Sequence, residues 1–118
     1  MRALALALPD AAEKISHGRP AFFTTKIFAT YGGSVKVDGR YRQHEQSVQV
    51  LVDPDEREAL LGDDRCYAPA YLGAYGWIGL DLTEDTDWDE ISELLDASYR
   101  RTAGPRKVAV LDARAPGR

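Results

Sequence analysis

The sequence predicts a single α+β domain in which helices accompany a meandering antiparallel sheet. In its first half, short segments rich in aromatic and β-branched residues are separated by glycine turn signals. In its second half, two segments carry the cap residues and the apolar spacing of helices. A chain of 118 residues fits one domain and can bury enough surface to fold without a disulfide or a metal.

The first half predicts one short helix followed by four strands. Good helix formers fill residues 1–8, and Pro9 ends that helix. Strands are expected at 20–25 and 26–31, with Gly32-Gly33 as a turn, and then at 34–38 and 47–53. Asp38-Gly39 predicts another turn, and the valines of the last strand alternate so that they share one face.

The second half predicts two helices around one further strand. Asp53 is a helix cap, and Gly62 is expected to close that helix in the left-handed conformation. A strand follows at 77–82. Asp87 caps the stronger helix, over 87–100, whose predicted sheet-facing side comprises Trp88, Ile91, Leu95 and Tyr99. Residues 1–107 are predicted to form the domain, and 108–118 a basic, mobile tail.

The charge is unevenly distributed along the chain. Residues 13–44 carry a net charge of +4, residues 45–98 of −13 and residues 99–118 of +5, for a total of −4. One fold can therefore hold a basic face and an acidic face, although acidic helices with solvated outer sides explain the same pattern. The lone Cys66 fits a reducing cytoplasm and is predicted to be core filler, and no apolar run is long enough to span a membrane.

No catalytic or metal-binding pattern emerges from the residues. His17 and His44 have no second ligand at a spacing typical of zinc sites. The glycines between 73 and 79 lead into a strand, whereas a dinucleotide loop opens a helix. Ser98 has no local base and is expected to be a small packing residue. We therefore predict no catalytic residue, no metal and no cofactor.

Aromatic residues and glycines concentrate in residues 69–80, just before the predicted strand. Basic groups can neutralise phosphates while aromatic rings stack on bases, so a nucleic-acid surface is one interpretation. An anionic small molecule or an acidic peptide suits the same residues, and core packing with solvated charges is the structural alternative. The candidate binding residues are His17, Lys26, Lys36, Arg40, Arg42, Tyr71, Tyr75, Trp77 and Arg100.

Several segments, taken in order and spacing, resemble the MmcQ/YjbR family over residues 3–107. They are residues 3–9, 17–23, 26–29, 52–61, 69–73, 76–80 and 97–100. The resemblance implies a two-layer α/β sandwich, with an antiparallel sheet and helices mainly on one face, as in type III secretion chaperones. It also implies a small bacterial cytoplasmic protein, often labelled DNA-binding, without accepted catalytic residues. The positions that recur in the family are here His17, Pro20, Lys26, Phe28, Pro69, Gly76, Trp77, Ser98 and Tyr99.

Two departures from the family pattern bear on function. The stretch 32–46 is longer than in many members and adds Arg40, Arg42 and His44, while the N-terminal helix is short. The prediction is a binding module, monomeric or homodimeric, that holds nucleic acid weakly on its sheet face. The alternatives are a protein–protein adaptor and a small-molecule pocket around His17, Lys26 and Trp77.

Overall fold

A computed structural model describes residues 1–114 of the chain. Six strands form one antiparallel sheet in the order β1-β2-β3-β4-β6-β5. The strands are β1 (Ala12–Ser16), β2 (Arg19–Phe23), β3 (Ile27–Val37), β4 (Arg40–Leu51), β5 (Cys66–Tyr67) and β6 (Trp77–Asp81). The helices are α1 (Arg2–Leu6), α2 (Pro54–Leu61), α3 (Trp88–Thr102) and α4 (Pro105–Arg114). The predicted fold class, an antiparallel sheet packed against helices, is confirmed.

The core forms between α3 and the central strands. Ile91, Leu94, Leu95 and Tyr99 of α3 are buried in one cluster with the sheet residues, and the valines of β4 join that cluster. Tyr99 packs edge-on against Phe28 at 5.5 Å between ring centroids and donates a hydrogen bond to the carbonyl of Pro9. Burial of a large apolar side chain contributes about 1.5–3 kcal/mol, so α3 contributes much of the stability.

Ser98 links α3 to two strands by hydrogen bonds. Its hydroxyl donates to the carbonyl of Phe28 and accepts from the backbone N–H of Leu51 at 3.0 Å. The side chain is fully buried. The expected packing role of Ser98 therefore includes satisfying two backbone groups that would otherwise be buried without partners.

Several local predictions were wrong at specific residues. Gly32-Gly33 is not a turn but lies inside β3 beside an irregularity in the β3–β4 register, with Gly32 at φ +80°. Gly62 follows α2 with an ordinary right-handed φ of −79°. Strand β1 and the first half of β4 were not predicted. Helix α4 begins at Pro105 and includes residues 108–114 of the predicted tail, of which residues 115–118 lie outside the described range.

Candidate functional site

The outer half of the β3–β4 hairpin forms an arm, residues 33–44. Asp38 and Gly39 at its tip have φ of 52° and 77°, the two positive values that a tight two-residue hairpin turn requires. This turn fixes the register, so Lys36 lies opposite Tyr41. Strand β6 pairs with β4 only from Ser47 onward. The hairpin arm thus extends beyond the six-stranded part of the sheet.

The hairpin arm is attached to the segment that contains β5. The ring of His44 stacks on that of Tyr67 at 4.0 Å between centroids, and its Nδ1 lies 2.8 Å from Oδ1 of Asp81. The backbone N–H of Ala70 donates to the carbonyl of Ser34 at 2.8 Å. These contacts hold the hairpin arm in one position against residues 67–70.

A buried polar network supports this attachment. The Ser47 hydroxyl donates to the His44 carbonyl at 2.8 Å, so the Tyr67 hydroxyl, 2.6 Å from the Ser47 oxygen, acts as the donor of that second bond. The ring of Tyr67 lies directly over Gly79, where no Cβ would fit. Burial is the main cause that raises the pKa of Tyr67 to about 12. Its phenol is therefore neutral at ordinary pH.

Three cations stand unpaired on the hairpin arm. Lys36, Arg40 and Arg42 are exposed, and no acidic side chain within residues 1–114 forms an ion pair with them. The Lys36 ammonium lies 5.9 Å from the ring centroid of Tyr41, which is 49% exposed. An unpaired cation beside an exposed ring can contact an anion and a planar group together.

Tyr71 brings a second exposed ring to the hairpin arm. Its backbone adopts φ 65° and ψ −61°, and Leu72 N–H donates to the Ala70 carbonyl at 2.7 Å, which together define a γ-turn with positive φ. The side chain is 79% exposed, and its hydroxyl lies 3.4 Å from that of Tyr41. The hydrogen bond between Tyr71 and Tyr41 is the first cause that raises the pKa of Tyr71. We call Lys36, Arg40, Tyr41, Arg42 and Tyr71 the arm cluster.

The turn that follows Tyr71 is anchored from α2. Leu72–Tyr75 form one 3₁₀ turn, and the guanidinium of Arg57 donates to the Gly73 carbonyl at 3.0 Å. Tyr75 at the end of this turn is 77% exposed. Among the described residues, no hydrogen bond or ring contact joins Tyr75 to the arm cluster, so Tyr75 is a neighbour of the cluster and not a member.

Besides Tyr75, four further predicted site residues do not join the arm cluster. Trp77 is only 8% exposed and belongs to the core, so its predicted role as a stacking ring is wrong. His17 and Lys26 occupy the turns at opposite ends of β2, which rules out the predicted pocket between them and Trp77. Arg100 lies on α3 and is paired with Asp96 and Asp112.

Sequence reasoning missed Tyr41, His44 and Tyr67. The signal for Tyr41 was present, because a two-residue turn at Asp38-Gly39 pairs Lys36 with Tyr41. That pairing was missed because no strand was predicted over residues 40–46, directly after the turn. The stacking of His44 on Tyr67 joins residues 23 positions apart and left no local signal.

The described residues provide few other reactive groups. Within residues 1–114, no three His, Cys, Asp or Glu side chains converge in a way that could hold a metal ion. Burial is the main cause that raises the pKa of the half-buried Cys66 thiol to about 11, so this thiol is protonated at neutral pH. No helix in this range has the length and apolar character needed to cross a membrane.

A comparison with family models shows the family of the chain. The family model described as YjbR matches residues 6–101, most of the chain and nearly all of the described domain. The chain belongs to the YjbR family. A comparison with curated proteins gave no match.

Two solved structures share the fold of this YjbR domain. A Deinococcus radiodurans protein with a DUF419 domain superposes with a TM-score of 0.58 at 18% identity, covering 83% of this chain and 72% of that one. A Pseudomonas syringae protein gives a TM-score of 0.60 at 15% identity, covering 80% of this chain and 88% of that one. At such identities the likeness shows a common fold, and the function must be argued from the arm cluster itself.

Proposed function

We propose that this YjbR protein binds single-stranded nucleic acid weakly through the arm cluster. The observation that supports the proposal is one unpaired lysine beside two exposed tyrosine rings, on a projecting hairpin that carries the unpaired Arg40 and Arg42 on its other face. Cations neutralise phosphates, and aromatic rings stack on bases without regard to sequence.

The geometry favours single strands over duplexes. Bases in a duplex are already stacked on each other, so Tyr41 and Tyr71 could reach them only after unpairing. In a single strand the bases are free, and stacking on an aromatic ring contributes about 1–3 kcal/mol per base. The neighbouring Tyr75 lies within the same loop region and could extend the stacking surface by one ring.

The charge distribution limits the affinity. Two stretches are basic, the one that includes the arm and residues 99–118, while residues 45–98 carry a net charge of −13 and repel phosphates that approach α2 and most of α3. For single strands, the logarithm of affinity falls with the logarithm of salt concentration with a slope of about −0.7 per phosphate neutralised. Three arm cations therefore predict a slope of roughly −2.

The test measures fluorescence anisotropy of a labelled twelve-nucleotide single strand at several salt concentrations. Replacing Lys36, Arg40 and Arg42 with glutamine should abolish most of the salt dependence. Tyr71→Ala should weaken binding about tenfold, because one stacking contact is lost, while leaving the salt slope unchanged. A matched control replaces three cations outside the arm, Arg101, Arg106 and Lys107, with glutamine and should leave both quantities nearly unchanged.

Two outcomes would contradict the proposal as a whole, and a third would contradict its stacking component. One is equal weakening by the arm triple variant and the control triple variant, which would indicate diffuse attraction to any basic region. The other is the absence of binding at low salt, where electrostatic attraction is strongest. A preference for duplex over single strand would contradict the stacking component, since Tyr41 and Tyr71 would then have no role.

A further inference from the structure

A second surface lies beside α1 and the start of α3, and its chemistry differs from that of the arm cluster. Two cavities of about 350 and 380 Å³ share Met1 and Tyr31 in their linings. Phe22 lines the first, and Leu82 and Trp88 line the second. We call this region, defined by Met1, Phe22, Tyr31, Leu82 and Trp88, the apolar trough.

The apolar trough exists because the helix layer is thin at this point. Helix α1 has five residues, and only Ala5 of it is buried. Trp88 is the first residue of α3, and its ring is 47% exposed instead of packing in the core. A large exposed aromatic beside a recess is a common anchor point for a partner, because its burial excludes much water at little conformational cost.

Glu84 puts one carboxylate on the rim of the apolar trough, and the chain around Glu84 is acidic. Asp85 and Asp89 lie within five residues of Glu84 along the chain. None of these three carboxylates forms an ion pair with any side chain described in residues 1–114. Asp87, in contrast, is occupied in capping α3.

Positive charge near the apolar trough is largely cancelled. Arg2 lines the first cavity, but its guanidinium makes two hydrogen bonds to the carboxylate of Glu13, at 2.6 and 3.0 Å. An apolar recess with an exposed tryptophan and unpaired acids favours a ligand that is apolar and cationic together.

We propose that the apolar trough binds a basic, apolar-flanked peptide segment of a partner protein. An apolar side chain of that segment fills the recess between Tyr31 and Leu82. A neighbouring lysine or arginine lies against the Trp88 ring and pairs with Glu84. Nucleic acid is excluded as the occupant because its phosphates would face the unpaired carboxylates. This surface is separate from the arm cluster, so either proposal can fail without the other.

The test uses the full chain and a defined probe, a fluorescein-labelled nine-residue peptide of alternating lysine and leucine with blocked ends. Binding is followed by anisotropy, and a peptide of alternating glutamate and leucine serves as the charge-reversed probe. The lysine peptide should bind saturably, and the glutamate peptide should bind at least about tenfold more weakly.

Variants then locate the binding site. Trp88→Ala should weaken binding about tenfold or more, as removal of a buried anchor does. The triple variant Glu84→Gln, Asp85→Asn, Asp89→Asn should do the same. A matched triple variant on α2, Asp55→Asn, Glu56→Gln, Glu58→Gln, removes equal charge elsewhere and should change affinity less than about twofold. Circular dichroism confirms that each variant is folded.

Three results would overturn the proposal. Equal loss of peptide affinity in the two triple variants would show general attraction between a basic peptide and an acidic protein. Unchanged peptide affinity in Trp88→Ala would show that Trp88 does not anchor the peptide. Loss of peptide binding in the arm triple variant, with Lys36, Arg40 and Arg42 replaced by glutamine, would show that the two surfaces are not separate. The last result is distinguishable from failure of the nucleic-acid proposal, because the oligonucleotide would still bind the unaltered protein.

Discussion

At the scale of single residues, the two tryptophans exchange their expected roles. Helical spacing placed Trp88 with Ile91 in the core, yet as the first residue of α3 it borders the apolar trough. The aromatic loop suggested that Trp77 lines a site, yet in β6 it is buried. Periodicity identifies the face of a helix, but it does not show whether the first turn still has a sheet beneath it.

This exchange predicts unequal costs of truncation. Trp77→Ala should lower the free energy of unfolding by about 3–5 kcal/mol, because it empties a large core volume. Trp88→Ala should lower it by less than about 1 kcal/mol, as for a surface position. Urea denaturation followed by circular dichroism measures both. Equal losses would mean that Trp88 is packed as tightly as Trp77 and that the apolar trough is closed.

At Gly79, the packing of a neighbouring side chain leaves room only for glycine. A Cβ at this position would collide with the ring of Tyr67. Gly79→Ala should therefore cost about 1–3 kcal/mol as overpacking, and it should also displace the Tyr67 ring on which His44 stacks. Urea denaturation gives the cost, and the near-ultraviolet circular dichroism of the tyrosines reports the displacement.

Gly62→Ala is the matched control for Gly79→Ala. Gly62 has φ −79°, and an added Cβ would meet its nearest atom at an ordinary 3.4 Å. Its free energy of unfolding should change by less than about 0.5 kcal/mol. If Gly79→Ala is as harmless as this control, the packing of Tyr67 over β6 is wrong, and the attachment of the hairpin arm loses its support.

At the scale of elements, helices were predicted better than the long hairpin. Asp53 and Asp87 cap α2 and α3 as predicted, because a cap is a contact between residues two or three positions apart. The prediction of a turn at Gly32 and Gly33 was wrong, because the crowding that requires glycine there comes from side chains distant in sequence. Arg19 lies against Gly32, and Gln49 and Tyr67 lie against Gly33. Such contacts leave no trace in local sequence.

The attachment of the hairpin arm through β5 predicts sensitivity to alkali. The pKa of Tyr67 is raised from 10.0 to about 12, chiefly by burial. Because the folded pKa exceeds the unfolded value, the folded state is favoured while the phenol is neutral. This contribution is complete below pH 10 and is lost as the pH rises toward 12. Stability should therefore fall across this window.

Urea denaturation at a series of pH values measures the loss, and absorbance at 295 nm follows phenolate formation. Tyr67→Phe should flatten much of the decline, since the group that titrates is gone. Cys66→Ala is the companion variant, because the pKa of that thiol is also raised, to about 11, and contributes in the same direction. An unchanged decline in Tyr67→Phe would assign the alkaline loss to other groups.

At the scale of the whole molecule, the sequence predicts the fold class correctly, but it predicts the candidate site only in part. Cap residues, turn signals and the order of family-like segments were enough for the fold class. The basic residues of the arm were identified, since charge is visible in any sequence. Among their aromatic partners Tyr71 was predicted, but Tyr41 was missed and Trp77 was wrongly included, because the choice depends on which ring the fold buries. The charges themselves are visible in the sequence, but only the folded chain places basic residues on the arm and acidic residues at the apolar trough.

The most direct test of the arm cluster as the nucleic-acid surface is a nuclear magnetic resonance titration of the ¹⁵N-labelled protein with a single-stranded oligonucleotide. We expect amide shifts to concentrate in residues 34–43 and 70–73, with few changes around Trp88. Shifts concentrated in the other basic stretch, residues 99–118, would contradict it, as would shifts spread evenly over the surface.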